Sequence, residues 1–155
     1  MQSLLDLFEV TKEDMNPELK KYRLYCDMDG VLCDFKYRFE YLFGKGPREI
    51  EAEKGAPYFW GMIRRVGAKF WSGMPWTPSG RQLWTAIKGY DPKLLTAPPR
   101  AYRDFSNFDE SAVQGKTEWA QRNLGLSASD VLFKRSKDKQ EIATKDISEG
   151  FIPIL

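Results

Sequence analysis

Residues 24–35 have the sequence LYCDMDGVLCDF, in which a short, mostly apolar run is followed by two acids and a glycine. The run at 23–26 predicts a buried β-strand that delivers Asp27 to its carboxyl end. Gly30 permits a tight turn after the second acid, Asp29, because glycine adopts backbone conformations that other residues avoid. The alternative is a strand followed by an ordinary Asp/Gly turn. The apolar residues on both sides of the two acids favour a functional role for them.

The rest of the chain alternates predicted strands with predicted helices. Residues 35–75 are aromatic and basic and contain several Gly and Pro breakers, which favours short helices over a sheet. Thr77 is expected to cap the next helix, and Pro78 suits its first position. Strands separated by helices predict an α/β fold with a parallel sheet and right-handed crossovers. The further predicted elements are helices near 77–89, 110–124 and 136–144 and strands at 93–96, 131–133 and 151–155.

The composition is that of one globular domain whose chemistry does without histidine. The 155 residues are 42% hydrophobic and 30% charged, with a formal net charge of +2. So small an excess of positive charge argues against a surface dedicated to nucleic acid. The lack of histidine excludes histidine general bases, Ser-His-Asp triads and the usual zinc sites. Catalysis must therefore use carboxylates, lysines, hydroxyls, backbone amides and an oxygen-preferring metal ion.

The amino-terminal segment and the cysteines indicate the cellular compartment in which the protein is expected. Residues 1–20 predict a short amphipathic helix and a linker, with acids inside the apolar stretch and no basic start, which is unlike a signal peptide. No apolar run approaches the roughly 20 residues of a membrane span. Cys26 and Cys33 do not form a CxxC pair and are expected to be reduced thiols in the core. We therefore expect a cytoplasmic protein without a membrane partner.

Asp27 and Asp29 are separated by one residue and can approach one phosphate in different roles. A carboxylate can attack phosphorus to form an aspartyl-phosphate. A second carboxyl group can protonate the leaving alcohol and then activate water. Two neighbouring acids repel each other, and Mg²⁺, which prefers oxygen ligands and keeps several waters, would relieve that repulsion. The pair therefore indicates phosphoryl chemistry with magnesium as the cofactor.

The segment DMDGVLCDF resembles the first motif, D-x-D-G-[VT], of the haloacid-dehalogenase superfamily, and it is most similar to that of the 5'(3')-deoxyribonucleotidases. The resemblance covers about residues 22–145. It implies a Rossmann-like core over 21–155 with a parallel central sheet, helices on both faces and a small helical cap inserted after the first strand, at about 35–75. Three later stretches also resemble the family: FWSGMPWTPSGRQLWTAIKGYDPKLLTAPP at 70–99, KTEWAQRNLG at 116–125 and VLFKRSKDK at 131–139.

The resemblance implies roles for four residues. Asp27 would be the phosphorylated nucleophile and Asp29 the acid and base, with the Asp27 carboxylate and the Asp29 backbone carbonyl as magnesium ligands. Thr96 would hold a phosphate oxygen through its hydroxyl, and the Ala97 amide would assist. The family often has serine after this threonine, so Ala97 departs from the pattern, although backbone donation survives the change. Thr96 could also be an ordinary β-branched strand residue.

Lysines are the candidates for offsetting the charge of the phosphate and of phosphorylated Asp27. The resemblance to the third motif favours Lys139, with Lys134 and Lys137 as competitors, and any of the three could instead be a solvated helix charge. Lys116 is a candidate for a second phosphate contact, with a surface lysine as the alternative.

Phe70 and Trp71 resemble the aromatic pair of the family's cap, which stacks on the nucleobase. Stacking tolerates several bases, and a cap excludes water during phosphoryl transfer. Phe59, Trp60 and Trp76 are further candidates. Aromatic side chains are more often core residues than ligand contacts, so a core role for Phe70 and Trp71 is equally open.

The family's fourth motif, an apolar strand that ends in an Asp pair, has no counterpart in this sequence. Asp146 and Glu149 are the acids near the expected distance from Lys139, and neither follows an apolar strand. The chain is therefore interpreted as a truncated or frameshifted form of a longer nucleotidase. Two expectations follow: weak binding of magnesium, and an unfinished sheet edge through which a homodimer could form.

The leading interpretation is a magnesium-dependent phosphomonoesterase that hydrolyses nucleoside monophosphates, resembling the 5'-nucleotidases that act on deoxyribonucleotides. The alternative keeps the fold and drops the catalysis, giving a degenerate module that binds nucleotide or a protein partner. The missing fourth motif favours this alternative, whereas the intact pair of Asp27 and Asp29 opposes it. A phosphatase that acts on nucleic-acid ends would need a broad basic stripe, and the lysines and arginines of this chain are scattered.

Overall fold

The computed structural model describes residues 17–155, which have an α/β fold with a four-stranded parallel sheet, a two-stranded hairpin and seven α-helices. None of these helices is both long and apolar enough to cross a membrane. The strands are β1 (Tyr22–Cys26), β2 (Lys93–Thr96), β3 (Arg100–Ala101), β4 (Asp104–Phe108), β5 (Val131–Phe133) and β6 (Ile152–Ile154). The helices are α1 (Phe35–Phe43), α2 (Pro47–Lys54), α3 (Ala56–Val66), α4 (Ala68–Ser72), α5 (Gly80–Ile87), α6 (Glu110–Leu124) and α7 (Lys139–Ser148). Short 3-10 helices cover Pro17–Lys21, Lys88–Tyr90, Ala128–Asp130 and Ser136–Asp138.

The strand order in the parallel sheet is β5-β2-β1-β6, and every neighbouring pair is parallel. Cys26 is opposite Leu94, and Leu94 is in turn opposite Val131. Because the strands run the same way, their carboxyl ends lie at one edge, where parallel sheets commonly bind ligands. The predicted α/β class and parallel sheet are confirmed, and the placement of helices on both faces stays a prediction.

The described residues divide into two compact units. The first, called the sheet unit, contains the parallel sheet with α5 and α7, and the second, called the helical unit, contains α1–α4, α6 and the β3–β4 hairpin. The predicted cap range falls within the helical unit, which also takes in a later segment that the sequence did not assign to a cap. The sheet unit comprises 17–32, 76–97 and 130–155, and the helical unit comprises 33–75 and 98–129.

The core of the sheet unit includes the turn that follows β1, where Met28 and Leu32 are fully buried. The Thr77 backbone N–H donates to the Leu32 carbonyl at 2.9 Å, and the Thr77 hydroxyl donates to the Val31 carbonyl at 2.7 Å. The predicted capping role of Thr77 is therefore wrong, because its hydroxyl bonds to the turn and α5 begins only at Gly80. Glycine is needed at position 80, since a Cβ there would lie 2.8 Å from the Leu32 carbonyl oxygen.

The core of the helical unit is an aromatic cluster. The ring centroids of Phe35 and Phe70 are 5.3 Å apart, and Phe70 meets Trp71 edge to face at 5.1 Å. Trp119 on α6 is fully buried, and its indole N–H donates to the Met74 carbonyl at 2.8 Å. Burial of each such side chain stabilises the fold by about 2 kcal/mol.

Two further features of the fold differ from the sequence prediction. The β3–β4 hairpin occupies residues for which the sequence predicts no strand, because 98–108 lacks the regular alternation of a half-buried strand. Helix α7 begins at Lys139 rather than near 136, since a 3-10 turn precedes it. The predicted amino-terminal helix and linker at 1–20 falls mainly on residues 1–16, which lie outside the described residues.

Strand β6 lies at one edge of the sheet and pairs with β1, with Tyr22 opposite Ile152. It contains Pro153, and because proline cannot donate a ladder hydrogen bond, it weakens any further pairing at an exposed edge. The homodimer that the sequence suggested through this edge stays a prediction.

Candidate active site

Asp27 is the first residue after β1, and hydrogen bonds orient its carboxylate. The Met28 backbone N–H donates to Oδ1 at 2.7 Å, and the Lys139 ammonium donates to Oδ2 at 3.0 Å. The side chain nevertheless remains 46% exposed. A carboxylate that is oriented but open to solvent can meet an incoming electrophile, as a nucleophile must.

The turn after Asp27 depends on Gly30. The backbone N–H groups of Val31 and Leu32 donate to the Met28 carbonyl at 3.1 and 2.8 Å. Gly30 has a φ of +77°, in the left-handed region where a residue with a Cβ is strained. The tight turn predicted from the DMDG sequence is therefore present.

The two acids of this turn have different environments. Asp29 is half-buried and its Oδ1 atom is shielded from solvent, whereas Asp27 is exposed. Met28 between them is fully buried. Different solvent access allows two neighbouring carboxyl groups to take different roles, one as nucleophile and the other as acid and base.

Thr96 ends β2 at the same edge of the sheet. Because Cys26 is opposite Leu94 in parallel register, the residues that follow Cys26 lie beside the last residues of β2. The Thr96 side chain is fully buried. The Thr96 backbone carbonyl accepts a hydrogen bond from the Lys134 backbone N–H at 3.0 Å. Ala97 follows and is half-buried. The strand-end position is as predicted, and the phosphate contacts of Thr96 and Ala97 stay predictions.

Lys139 is the lysine that the structure brings to Asp27, among the three that the sequence left open. It begins α7, and its side chain is 21% exposed. Lys134 pairs instead with Glu141, with 3.3 Å between Nζ and Oε2. Lys137 is exposed in the 3-10 turn before α7. The Lys139 ammonium is therefore the cation best placed to offset charge on a group bound to Asp27.

Cys26 precedes Asp27 and is a free, buried thiol. Burial, and secondarily the negative charge of Asp27, raise the pKa of the Cys26 thiol to about 11. The thiol is therefore neutral near pH 7, and it does not compete with Asp27 because the thiolate is the reactive form. Cys33 is also buried and forms no disulfide, so both cysteines are the reduced core thiols that the sequence indicated.

The predicted ligand contacts Phe70, Trp71 and Lys116 lie in the core of the helical unit. Phe70 exposes none of its surface and Trp71 only 3%, so neither ring presents a free face to a nucleobase in this conformation. The predicted stacking role of the two rings is therefore not supported, because they pack against Phe35 and against each other. Lys116 is fully buried, with its ammonium 5.0 Å from the centroid of the Trp71 ring. The surface-lysine alternative is thus wrong for Lys116, and its phosphate contact stays a prediction.

Asp146 and Glu149, the candidates for the missing metal-binding acid, both contact Arg23. Asp146 is almost fully buried, its Oδ1 accepts from Arg23 at 2.7 Å, and its Oδ2 accepts from the Tyr25 hydroxyl at 2.5 Å. The Glu149 Oε2 atom lies 3.5 Å from Arg23 Nη1. Both oxygens of Asp146 are therefore bonded to side chains of β1, and Asp146 does not supply a ligand beside Asp27.

We expect the protein to lose stability at high pH because the Tyr25 hydroxyl is buried and hydrogen-bonded to Asp146. Burial, followed by the hydrogen bond to Asp146 and the charge of that carboxylate, raises the pKa of Tyr25 from 10 to about 12. The raised pKa stabilises the fold below pH 10, and this stabilisation is lost as the pH rises from 10 to 12. Over that range the unfolding free energy of the wild type should fall by about 2 kcal/mol more than that of Tyr25→Phe. Urea denaturation at several pH values measures this difference, and parallel pH profiles for the two proteins would contradict it.

An apolar groove in the helical unit was not predicted from the sequence. It has a volume of about 480 Å³ and is lined by α3 and the β3–β4 hairpin. The Arg64 guanidinium lies over the Tyr102 ring, 4.7 Å from its centroid, and the Phe105 side chain is largely exposed. Apolar and aromatic walls with an arginine suit a flat anionic ligand. The available signals were the aromatic residues of 98–108 and Trp60, which also lines the groove.

Comparison with known proteins adds no assignment. No family model, curated protein or solved structure matches the chain. The functional conclusion therefore depends on the chemistry of the residues at the carboxyl edge of the sheet, which are Asp27, Asp29, Thr96 and Lys139.

Proposed function

We propose that the chain is a phosphomonoesterase of the haloacid-dehalogenase type that hydrolyses nucleoside monophosphates with magnesium as its cofactor. The observation that carries this conclusion is the 3.0 Å contact between Lys139 Nζ and Asp27 Oδ2, two residues 112 positions apart in the sequence. An ordinary Asp/Gly turn has no need of that lysine. An aspartate that receives a phosphoryl group does, because a fixed cation stabilises the charge that develops there.

The residues of the sheet unit can divide the reaction into two steps. In the first step an Asp27 carboxylate oxygen forms a bond to phosphorus, the bond to the leaving alcohol breaks, and Asp29 gives that alcohol a proton. In the second step Asp29 takes a proton from a water that attacks phosphorus, which releases inorganic phosphate and restores the Asp27 carboxylate. Lys139 offsets negative charge in both steps, and the Thr96 hydroxyl and Ala97 amide hold phosphate oxygens.

The donors at Asp27 and Asp29 fit a magnesium ion that keeps most of its waters, because they are oxygens and Asp27 is open to solvent. The Asp27 carboxylate and the Asp29 backbone carbonyl would hold the ion. When bound, magnesium would neutralise phosphate charge and polarise the phosphoryl group. Within residues 17–155, no group of three or more His, Cys, Asp or Glu side chains could hold a metal ion.

Magnesium is therefore expected to bind more weakly than the micromolar range, because this donor set lacks a further anchoring carboxylate. Calorimetric titration of the metal-free protein with magnesium chloride measures the Kd. Asp27→Asn should remove the binding heat, whereas Glu149→Gln should titrate like the wild type. A micromolar Kd would contradict the proposed donor set.

The nucleotide class of the substrate is proposed from the resemblance of the chain to the nucleotidases. Within the helical unit, the groove has an aromatic lining and an arginine, whereas the rings of Phe70 and Trp71 are buried. The groove is therefore the more open aromatic surface of the two. The role of residues 35–75 as a small cap is part of the same proposal.

A phosphate-release screen over nucleoside monophosphates and sugar phosphates, with and without magnesium, tests the proposed activity. Magnesium-dependent release that is fastest with nucleotides would support it, and no release from any substrate would contradict it.

A second candidate function is a degenerate module that binds nucleotide or a protein partner. It is favoured by the lack of a three-acid metal group in the described part of the chain. Nucleotide binding measured by calorimetry without phosphate release would favour this second candidate.

A further inference from the structure

Helix α7 contacts β1 and the residue after it through both of its ends. At its amino end, Lys139 donates to the Asp27 carboxylate at 3.0 Å. Near its carboxyl end, Asp146 accepts from Arg23 at 2.7 Å and from Tyr25 at 2.5 Å. Lys139 therefore contacts the chain just after the carboxyl end of β1, and Asp146 contacts residues nearer the start of the strand.

The spacing of these contacts matches along the helix and along the strand. Lys139 and Asp146 are two helical turns apart, so they project from one face of α7 and are separated by about 10 Å along its axis. Asp27 lies two residues beyond Tyr25 and four beyond Arg23, which corresponds to about 7 and 13 Å along a strand. Both contacts can therefore form at once, and a shift of α7 by one turn would break them.

The position of α7 depends on a polar anchor more than on apolar packing. Asp146 is the one residue of this helix that is fully buried. In an amphipathic helix of a globular protein, an apolar stripe usually faces the core. Here Ile142 and Ala143 are only half-buried, and Ile147 is 65% exposed. The two hydrogen bonds of the Asp146 carboxylate therefore supply the specific contact that this stripe would otherwise provide.

We propose that Asp146 is a positioning residue, which sets the register of α7 on β1 and thereby holds the Lys139 ammonium against the Asp27 carboxylate. The value of that contact for catalysis rests on the proposed function, whereas the positioning itself does not. A purely stabilising ion pair would give a different result: loss of Asp146 would lower stability and leave the contact between Lys139 and Asp27 unchanged.

Carbodiimide cross-linking measures this contact without requiring catalysis, because the reagent condenses a carboxylate with an amine that touches it. The wild type should give a cross-link between Lys139 and Asp27. Peptide mass spectrometry can quantify it against the cross-link of Lys45 and Glu53, which are 3.2 Å apart in the helical unit. In Asp146→Asn the ratio of the first cross-link to the second should fall about tenfold, since proximity reactions weaken steeply when the partners are misplaced.

Two further variants complete the test. Glu149→Gln removes the exposed acid that also contacts Arg23 and should leave the cross-link ratio unchanged. Tyr25→Phe removes one hydrogen bond to Asp146 and keeps the ion pair with Arg23. It is therefore expected to fold even where Asp146→Asn does not, and it should lower the ratio by about threefold.

An unchanged ratio in folded Asp146→Asn would overturn the positioning role, and so would an unchanged ratio in Tyr25→Phe where the first variant does not fold. A wild type that gives no cross-link between Lys139 and Asp27 would overturn it as well. Phosphate release by the wild type is measured alongside. Its absence would overturn the proposed function, while the cross-link ratios would still decide the role of Asp146.

Discussion

Asp27→Asn is expected to lower the rate of phosphate release by about a thousandfold or more. The amide has the size of the carboxylate and keeps an oxygen that can accept from the Met28 N–H, so the turn after β1 should survive. It is a poor nucleophile, however, and it cannot form an aspartyl-phosphate. Initial rates at saturating nucleotide and magnesium measure the loss, and circular dichroism verifies that the variant is folded.

Glu149→Gln is the matched control for this experiment. It converts another exposed acid of the sheet unit into an amide at a position whose contact is with Arg23. Its activity should stay within about twofold of the wild type, as expected for a surface substitution outside the site. If Asp27→Asn retained most of the wild-type activity, Asp27 would be excluded as the nucleophile.

Lys139→Met is expected to lower kcat/KM by about a hundredfold, the usual effect of removing one fixed group that stabilises transition-state charge. Methionine keeps a long, unbranched side chain but has no charge, so the substitution isolates the contribution of the ammonium at Oδ2 of Asp27. The protein should remain folded because α7 retains its anchor at Asp146. Steady-state kinetics of the purified variant measure the effect.

Two neighbouring lysines serve as internal comparisons for Lys139. Lys137→Met alters an exposed residue of the preceding turn and should change kcat/KM by less than about twofold. Lys134→Met removes the partner of Glu141 and should have an equally small effect. A larger loss in either control than in Lys139→Met would show that the charge-neutralising lysine is a different residue.

The predicted elements that match the structure best have a strong local signal. The strands at 93–96 and 131–133 and the helix at 110–124 have the predicted bounds, because periodicity and the breakers beside them mark their ends. Thr77 was assigned wrongly for the opposite reason. Its local pattern is that of a helix cap, but its hydroxyl bonds to Val31, a partner 46 positions away that no local rule identifies.

The chemistry of the site was only partly predictable from the sequence. Motif spacing favours Lys139 as the charge-neutralising lysine but keeps Lys134 and Lys137 as candidates. Which of the three reaches Asp27 depends on where α7 begins relative to that residue. The role of Asp146 was hidden for the same reason, because its partners on β1 lie more than a hundred positions earlier. Aromatic composition also does not distinguish buried rings from exposed ones. The sequence therefore favours Phe70 as a contact for a nucleobase, although its ring is buried and the aromatic residues of the groove are more open.

The concealment of both native thiols has a practical consequence for work on this protein. Cys26 and Cys33 are the two cysteines of the chain, and both are buried thiols that form no disulfide. A maleimide dye at neutral pH should therefore find little to react with on the wild-type surface, since it needs an accessible thiolate. A single cysteine introduced at an exposed position such as Tyr41 would carry one fluorophore at a chosen point without prior removal of the natural pair.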